Sequence, residues 1–196
     1  MKRHLSVDEL VSDRDYDNTV FDEMSLNDKD LQNCSFIGCS FVNVNLTGAR
    51  LNASVFRDCN LSGARVNGCN LFATAFESCK MMGVDFHEGI TLTGTSFKAC
   101  NLSYTVFRGV SLAKMDFERC VFIEADLSLT NLEKASFTLC DLTGVDVHEA
   151  RFFQTDLRGA NLTGWNLKQQ DLRGIIITPA QFAALATELG IQIMEL

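Results

Sequence analysis

Proline is almost absent from this chain of 196 residues, and its single occurrence, Pro179, lies near the C terminus. Because proline has no backbone N–H to donate, the proline-free stretch is compatible with backbone hydrogen bonding through nearly the whole chain. Long apolar runs are also missing, and the first residues lack the pattern of a signal peptide. We therefore expect one cytoplasmic domain with no membrane association.

Motifs of active sites and metal centres are missing as well. The patterns CxxC, HExxH, Walker A and GxSxG do not occur. The three histidines, His4, His87 and His148, fall in unrelated registers. We expect a protein that is not an enzyme and that holds neither a metal nor a cofactor.

Cysteine and large apolar residues are present in a strict period. Six of the eight cysteines recur at intervals of 20 or 21 residues. They are Cys39, Cys59, Cys79, Cys100, Cys120 and Cys140. A Leu, Phe or similar residue, here called a centre, occupies every fifth position, with one extra residue between Phe86 and Leu92. All eight cysteines lie two positions before a centre, so burial explains them better than disulfides do.

A period of five fits neither a helix nor a strand, whose side chains repeat every 3.6 and 2.0 residues. The chain must therefore turn a corner every five residues. Four such units would close a square turn and place residues twenty apart directly above one another, about 4.8 Å apart. The period predicts a solenoid in which each coil is stabilised by its neighbours.

Several five-residue units resemble a known repeat. Residues 49–53, 125–129, 155–159 and 160–164 read ARLNA, ADLSL, TDLRG and ANLTG. They resemble the A(D/N)LXX unit of pentapeptide-repeat proteins over residues 31–174. This resemblance implies an all-β solenoid, a right-handed quadrilateral β-helix in which each centre and the residue two before it face inward. Phe36, Phe56, Phe76, Phe97, Phe117 and Phe137 should then stack as an aromatic ladder.

The two ends of the repeat are expected to differ from its middle. We assign residues 1–15 to an N-terminal segment or cap, 16–177 to the β-helix and 178–196 to a capping helix and dimerisation tail. The first coil is expected to be irregular, since Arg14, Met24 and Lys29 are poor core residues. Thr178, Pro179 and Gln181 predict a capped helix beginning at Pro179.

The C-terminal region is apolar enough to be a partner surface, and the resemblance implies a homodimer through it. The alternative is that the helix and tail only cap a monomer. The interface candidates are Trp165, Phe182, Leu185, Leu189, Ile191, Ile193, Met194 and Leu196.

Residues 87–91 contain the one insertion in the repeat. Gly89 suits a bulge or a tight corner there. A functional loop is the other interpretation of this segment. The longer projecting loops of many Qnr-type relatives are absent from this chain.

Charge is distributed unequally around the predicted coil, although the net charge of the chain is −8. Within residues 31–177, the wall centred on Leu51 has five basic and two acidic residues, whereas the wall centred on Leu46 has three basic and five acidic residues. The acidic residues of the second wall are Asp85, Glu88, Asp126, Asp146 and Glu149. An acidic wall favours a partner with a basic site and disfavours direct binding to nucleic acid. A solvated surface without a partner is the alternative explanation.

The sequence looks closest to the Qnr-type and the albicidin- and microcin-immunity pentapeptide proteins. That resemblance implies a DNA-mimicking protein that binds DNA gyrase or topoisomerase IV and protects it from a topoisomerase poison. The five acidic residues would then engage the enzyme. The alternative is a non-catalytic scaffold with an unrelated protein partner, because the fold alone does not determine function.

Overall fold

The computed structural model describes residues 3–87, 89–165, 171–192 and 194. The elements are β1 (Arg3–His4), a 3-10 helix (Val7–Glu9), β2 (Asp15–Asp17), β3 (Thr19–Val20), β4 (Ser35–Ile37), β5 (Val55–Arg57), β6 (Ala75–Glu77), β7 (Ser96–Lys98) and α1 (Pro179–Glu188). The strands are two or three residues long because the chain turns a corner every five residues.

Parallel pairing connects each coil to the next. Strands β2, β4, β5, β6 and β7 form one sheet in that order, and β1 pairs with β3. Elsewhere isolated bridges join residues one coil apart, as in the pairs Ser25 with Asn45 and Asp126 with Asp146. The molecule is a quadrilateral β-helix followed by one α-helix, so the predicted fold class is confirmed.

The four faces of the coil are named here by one of their inward centres. Face A is centred on Phe36, face B on Phe41, face C on Leu46 and face D on Leu51, together with the residues stacked above and below each. The residue before each centre and the two after it point outward, and the second of these turns the corner with a positive φ. Glycine is not required there, since Ala53 has a φ of 60°.

Aromatic rings fill the core beneath face A. Neighbouring rings from Tyr16 to Phe137 stack with centroid separations between 4.7 and 5.7 Å. The pairs beside them on face B, such as Phe36 with Phe41, meet edge to face. The predicted aromatic ladder is confirmed and begins one coil earlier, at Tyr16.

All eight cysteines are free and buried. Most donate their S–H group to a carbonyl of the coil below, as Cys59 does to Phe36 at 3.3 Å. The hydroxyl of Thr74 makes the equivalent bond to Leu51 at 2.8 Å. The predicted burial is confirmed, and the structure adds that cysteine acts at this position as a small hydrogen-bond donor. Burial raises the pKa of the thiols of Cys69 and Cys140 to about 12.

The extra residue of the repeat is absorbed within one coil of face C. Arg65 pairs with Asp85, twenty residues on, whereas Asn70 pairs with Thr91, one residue further. Gly89 has a positive φ of 63°. The stacking register is regular on both sides of this point, so the insertion does not divide the rod.

The N-terminal coil is regular, and the expectation of an irregular first coil is wrong. Val20 pairs with Ser40 and Ser25 pairs with Asn45, each in the 20-residue register. Arg14 is exposed, and Met24 and Lys29 are half-buried. No full coil lies below this one, so its inward positions are not fully enclosed and tolerate long side chains.

At the other end of the rod, α1 begins after Thr178, whose side chain accepts a hydrogen bond from the backbone N–H of Gln181. The predicted capping box is therefore confirmed. Trp165 is buried in the last part of the solenoid, and its indole N–H donates to the carbonyl of Leu142 at 2.9 Å. Its ring contacts that of Phe152 at 5.7 Å.

Candidate functional site

Face C carries a column of mostly polar side chains that runs along the rod. The column consists of the residues that precede the centres, and bridges connect each to the next: Ser25, Asn45, Arg65, Asp85, Val106, Asp126 and Asp146. The repeat therefore brings three carboxylates that are distant in sequence onto one line. At about 4.8 Å per coil, Asp85 and Asp146 are separated by about 14 Å.

Each of these carboxylates is held by its own coil. Oδ1 of Asp85 and of Asp146 accepts the backbone N–H of the histidine two residues later, at 2.9 Å in both cases. Oδ1 of Asp126 accepts the N–H of Ser128 at 2.9 Å and its hydroxyl at 2.5 Å. All these bonds use Oδ1, and Oδ2 of each side chain accepts no hydrogen bond from the described residues.

This local hydrogen bond is a general feature of the repeat. Asn45 accepts the N–H of Thr47 at 3.0 Å on face C, and Asp141 accepts the N–H of Thr143 at 3.1 Å on face B. The Asp or Asn of the repeat unit therefore has a structural role that the sequence reasoning missed, although the (D/N) of the motif was its signal. Because either residue supplies the acceptor, the choice of Asp over Asn sets charge and not conformation.

Acidic residues on face A differ from those on face C because cations of neighbouring coils pair with them. Arg57 lies 2.8 Å from Glu77, and Lys98 lies 3.2 Å from Glu118. These four residues occupy successive coils of one column and alternate in sign. Each such surface pair contributes little to stability, about 0 to 1 kcal/mol, but it neutralises the face locally.

On face C, no Lys or Arg among the described residues lies within ion-pair distance of the carboxylates. The contacts found there come from histidines, His87 to Asp85 at 2.6 Å and His148 to Glu149 at 3.3 Å. Asp126 and Asp146 lie in adjacent coils directly opposite each other, an arrangement that is unfavourable for like charges. Among the described residues, face C therefore presents carboxylates that form no ion pair with a Lys or Arg, although Arg65 and Arg108 lie on the same face.

Comparison with protein families decides what kind of repeat this is. A model of the pentapeptide repeat region matches residues 12–86, 29–107 and 69–146, and a second model, of eight pentapeptide repeats, matches residues 150–174. The chain belongs to the pentapeptide-repeat family. A search of curated proteins gives no match.

Solved structures of QnrB1, a plasmid-mediated fluoroquinolone resistance protein, are similar to this pentapeptide-repeat protein. Two trypsin-treated variants of QnrB1 superpose with TM-scores of 0.88 and 0.86, each at 23% identity, covering 98% of this chain and 95% or 96% of theirs. Full-length QnrB1 gives a TM-score of 0.70 at 24% identity over 96% of this chain and 95% of its own. At this identity the likeness establishes a shared fold.

The other predicted acidic residues lie beside the column. Glu149 occupies a corner of face C with a φ of 56°. Glu88 lies outside the described residues. The structure therefore brings Asp85, Asp126 and Asp146 together in one line and places Glu149 at its edge.

The predicted interface residues fall into three groups. Phe182, Leu189, Ile191 and Met194 are exposed, with Met194 at 82%. Trp165 and Leu185 are buried within the chain, so neither is presented to a partner. Ile193 and Leu196 lie outside the described residues.

No group of three or more His, Cys, Asp or Glu side chains in the described part of the chain could hold a metal ion. None of its helices is both long and apolar enough to span a membrane.

Proposed function

We propose that this protein binds DNA gyrase or topoisomerase IV in the cytoplasm and protects the enzyme from a topoisomerase poison such as a peptide antibiotic, an albicidin-like toxin or a quinolone. The observation that carries the proposal is the column of Asp85, Asp126 and Asp146, none of which forms an ion pair with a Lys or Arg of the described residues. Such a face suits a basic groove that normally receives DNA. The action is binding alone, without a catalysed reaction.

The spacing of charge supports a DNA-like role for face C. Duplex DNA carries about one negative charge per 1.7 Å, hence about eight over the 14 Å from Asp85 to Asp146. Face C presents four described carboxylates and Arg108 over that length, a net charge of −3, which is of the same order as the share of phosphates on one side of a duplex. Since Oδ1 of each aspartate is already fixed, binding would order few side chains.

We also propose a homodimer through the C-terminal region. Phe182 and Ile191 are more than half exposed, and Leu189 and Met194 lie in the same helix and tail. Burying these side chains against a second copy would remove them from water and would lengthen the acidic rod.

Purified gyrase and topoisomerase IV provide the test of the proposed function. The protein should bind one of them and restore supercoiling or decatenation in the presence of a poison. A triple variant, Asp85→Asn, Asp126→Asn and Asp146→Asn, removes three charges and keeps the Oδ1 acceptors. We expect its affinity to fall at least tenfold, which corresponds to about 1.4 kcal/mol.

A matched control is available on another face. Asp141 accepts the N–H and hydroxyl of Thr143 at 3.1 and 2.6 Å, closely matching the bonds of Asp126 to Ser128, but it lies on face B. Asp141→Asn should leave the affinity unchanged, whereas Asp126→Asn should lower it. Equal affinity of the triple variant and the wild type would remove face C from the proposal, and a wild type that binds neither enzyme would overturn it.

A scaffold with a different protein partner is the second candidate, and exposed aromatic residues favour it. Phe72 and Phe153 lie on face D and are more than half exposed. Neither contributes to the acidic face. Affinity capture from a bacterial lysate separates the two candidates, because recovery of topoisomerase subunits supports the first and recovery of another stoichiometric partner supports the second.

A further inference from the structure

Tyr104 is an unusual residue for its position, the corner between faces B and C. It has a φ of 60° and its side chain is 55% exposed. Among the corner residues of the described coils it is the sole aromatic one. Its φ is ordinary for a corner of this coil, since Leu129 and Leu139 have the same value, but a large exposed aromatic side chain there is a reason to look for a role outside the fold.

The chain itself makes little use of the Tyr104 side chain. Within the described residues, its hydroxyl forms no hydrogen bond and its ring stacks on no other ring. In the coil below, the corner is Gly83, where an added Cβ would meet no heavy atom within 4 Å. The ring therefore projects into solvent beside bare backbone, next to the exposed Met82.

Carboxylates lie just around the corner from this ring. Val106, two residues after Tyr104, stands in the face C column between Asp85 and Asp126. Asp85 lies one coil below Val106 and Asp126 lies one coil above it, each about 4.8 Å away along the rod. Oδ2 of neither aspartate accepts a hydrogen bond from the described residues, so an aromatic face and two fixed carboxylates border the same patch.

This combination of groups selects a particular cation. An arginine guanidinium is planar, stacks on an aromatic face and donates several hydrogen bonds in its plane. A lysine ammonium group is a compact charge that lacks this planar match. Tyrosine is also among the residues that most often dominate binding energy at interfaces.

We propose that Tyr104 anchors an arginine-bearing loop of the protein partner, with the guanidinium stacked on its ring and hydrogen-bonded to Asp85 or Asp126. This inference rests on the proposed function and names the point on face C where recognition is concentrated. It assigns the contact to an uncharged residue, which charge patterning alone would not find.

Three variants test the proposal with the intact protein and purified gyrase or topoisomerase IV, whichever binds the wild type. Tyr104→Ala removes the ring, and Tyr104→Phe keeps the ring without the hydroxyl. The matched control is Leu139→Ala, because Leu139 is also a corner residue with a φ of 60° and is 57% exposed, on the far side of face B. Alanine is compatible with the corner, as Ala53 shows.

Affinity measured by calorimetry should fall about tenfold for Tyr104→Ala and less than threefold for Tyr104→Phe, with Leu139→Ala unchanged. Combining Tyr104→Ala with Asp85→Asn or with Asp126→Asn should, in at least one of the two double variants, lower affinity by less than the product of the single effects, because both groups hold the same cation. Wild-type affinity of Tyr104→Ala, or independent effects in both double variants, would overturn this inference alone. Failure of the wild-type protein to bind either enzyme would overturn the proposed function as well.

Discussion

The hydroxyl of Tyr16 accepts a hydrogen bond from the backbone N–H of Val11 at 2.8 Å and donates one to the carbonyl of the same residue at 3.0 Å. Its ring stacks on Phe36 at 5.2 Å and so forms the first step of the aromatic ladder. Below this ring there is no further ladder residue. Tyrosine at this step therefore satisfies the backbone that closes the N-terminal end of the core.

Replacing Tyr16 by Phe should destabilise the protein by about 1 to 3 kcal/mol, because two partly buried backbone groups of Val11 would lose their partner. Urea unfolding measures the change. Tyr104→Phe is the control, since its exposed hydroxyl has no partner in the described residues, and it should leave the midpoint unchanged. If the two variants unfold at the same urea concentration, the hydroxyl of Tyr16 contributes nothing.

Phe72 and Phe76 belong to the same coil and differ in burial. Phe76 is 2% exposed and stacks between Phe56 and Phe97, whereas Phe72 is 51% exposed. Phe76→Ala should lower the free energy of unfolding by about 3 to 5 kcal/mol through lost burial and a cavity. Phe72→Ala should change it by no more than about 0.5 kcal/mol. A similar cost for both would mean that the coil relaxes around the missing ring.

Much of the fold follows from the sequence because the repeat is local and repeated many times. The period placed the rings of Phe36 to Phe137 in one ladder, and it placed each cysteine inside the core. The same period assigns Asp85, Asp126 and Asp146 to one wall. Each of these predictions requires only that the inward or outward direction of a side chain is known. Its position within the five-residue unit determines that direction.

The packing at the ends of the rod was less predictable, and so was the pairing of each charged side chain. Trp165 was expected at an interface because it lies in the apolar C-terminal region. It is buried instead, because its ring packs beside Phe152 and its indole N–H donates to the carbonyl of Leu142. Likewise, whether an acidic residue is paired depends on a long side chain one coil away, as with Glu77 and Arg57.

The buried thiols should make the protein sensitive to alkali. Burial raises the pKa of Cys69 and Cys140 to about 12, whereas an unfolded thiol has a pKa of about 8.5. The unfolded chain therefore binds fewer protons than the folded one above pH 8.5. The contribution of the protonated thiols to the free energy of unfolding is complete below that pH. It is lost as the pH rises toward 12, by about 1.4 kcal/mol per pH unit for each thiol.

Threonine provides the matched replacement, because Thr74 makes the same bond to the coil below as these cysteines do. A variant with Cys69→Thr and Cys140→Thr should lose about 4 kcal/mol less than the wild type between pH 7 and pH 10. Urea unfolding under reducing conditions at the two pH values measures the difference. An identical decline in both proteins would show that these thiols do not control alkaline stability.

Gln181 attaches helix α1 to the end of the solenoid. Its side-chain Nε2 donates to the carbonyls of Leu157 at 2.7 Å and Ala160 at 2.9 Å. Its Oε1 accepts the backbone N–H groups of Thr178 at 2.9 Å and Gly159 at 3.1 Å. One amide group thus supplies partners to four backbone groups where the stack has no following coil.

Gln181→Ala should therefore release α1 while the coils below it remain folded. Hydrogen exchange of the hydrogen-bonded amides of α1, from Phe182 onward, should accelerate at least tenfold, because four backbone groups lose their partner and the capping box loses its reciprocal bond. Gln154→Ala, at an exposed corner of the solenoid, is the control and should leave exchange in α1 unchanged.

If α1 also forms the proposed dimer, Gln181→Ala should shift the protein toward monomer in sedimentation experiments. Unchanged exchange in α1 would show that packing of Leu185 and Ala186 holds the helix without the glutamine.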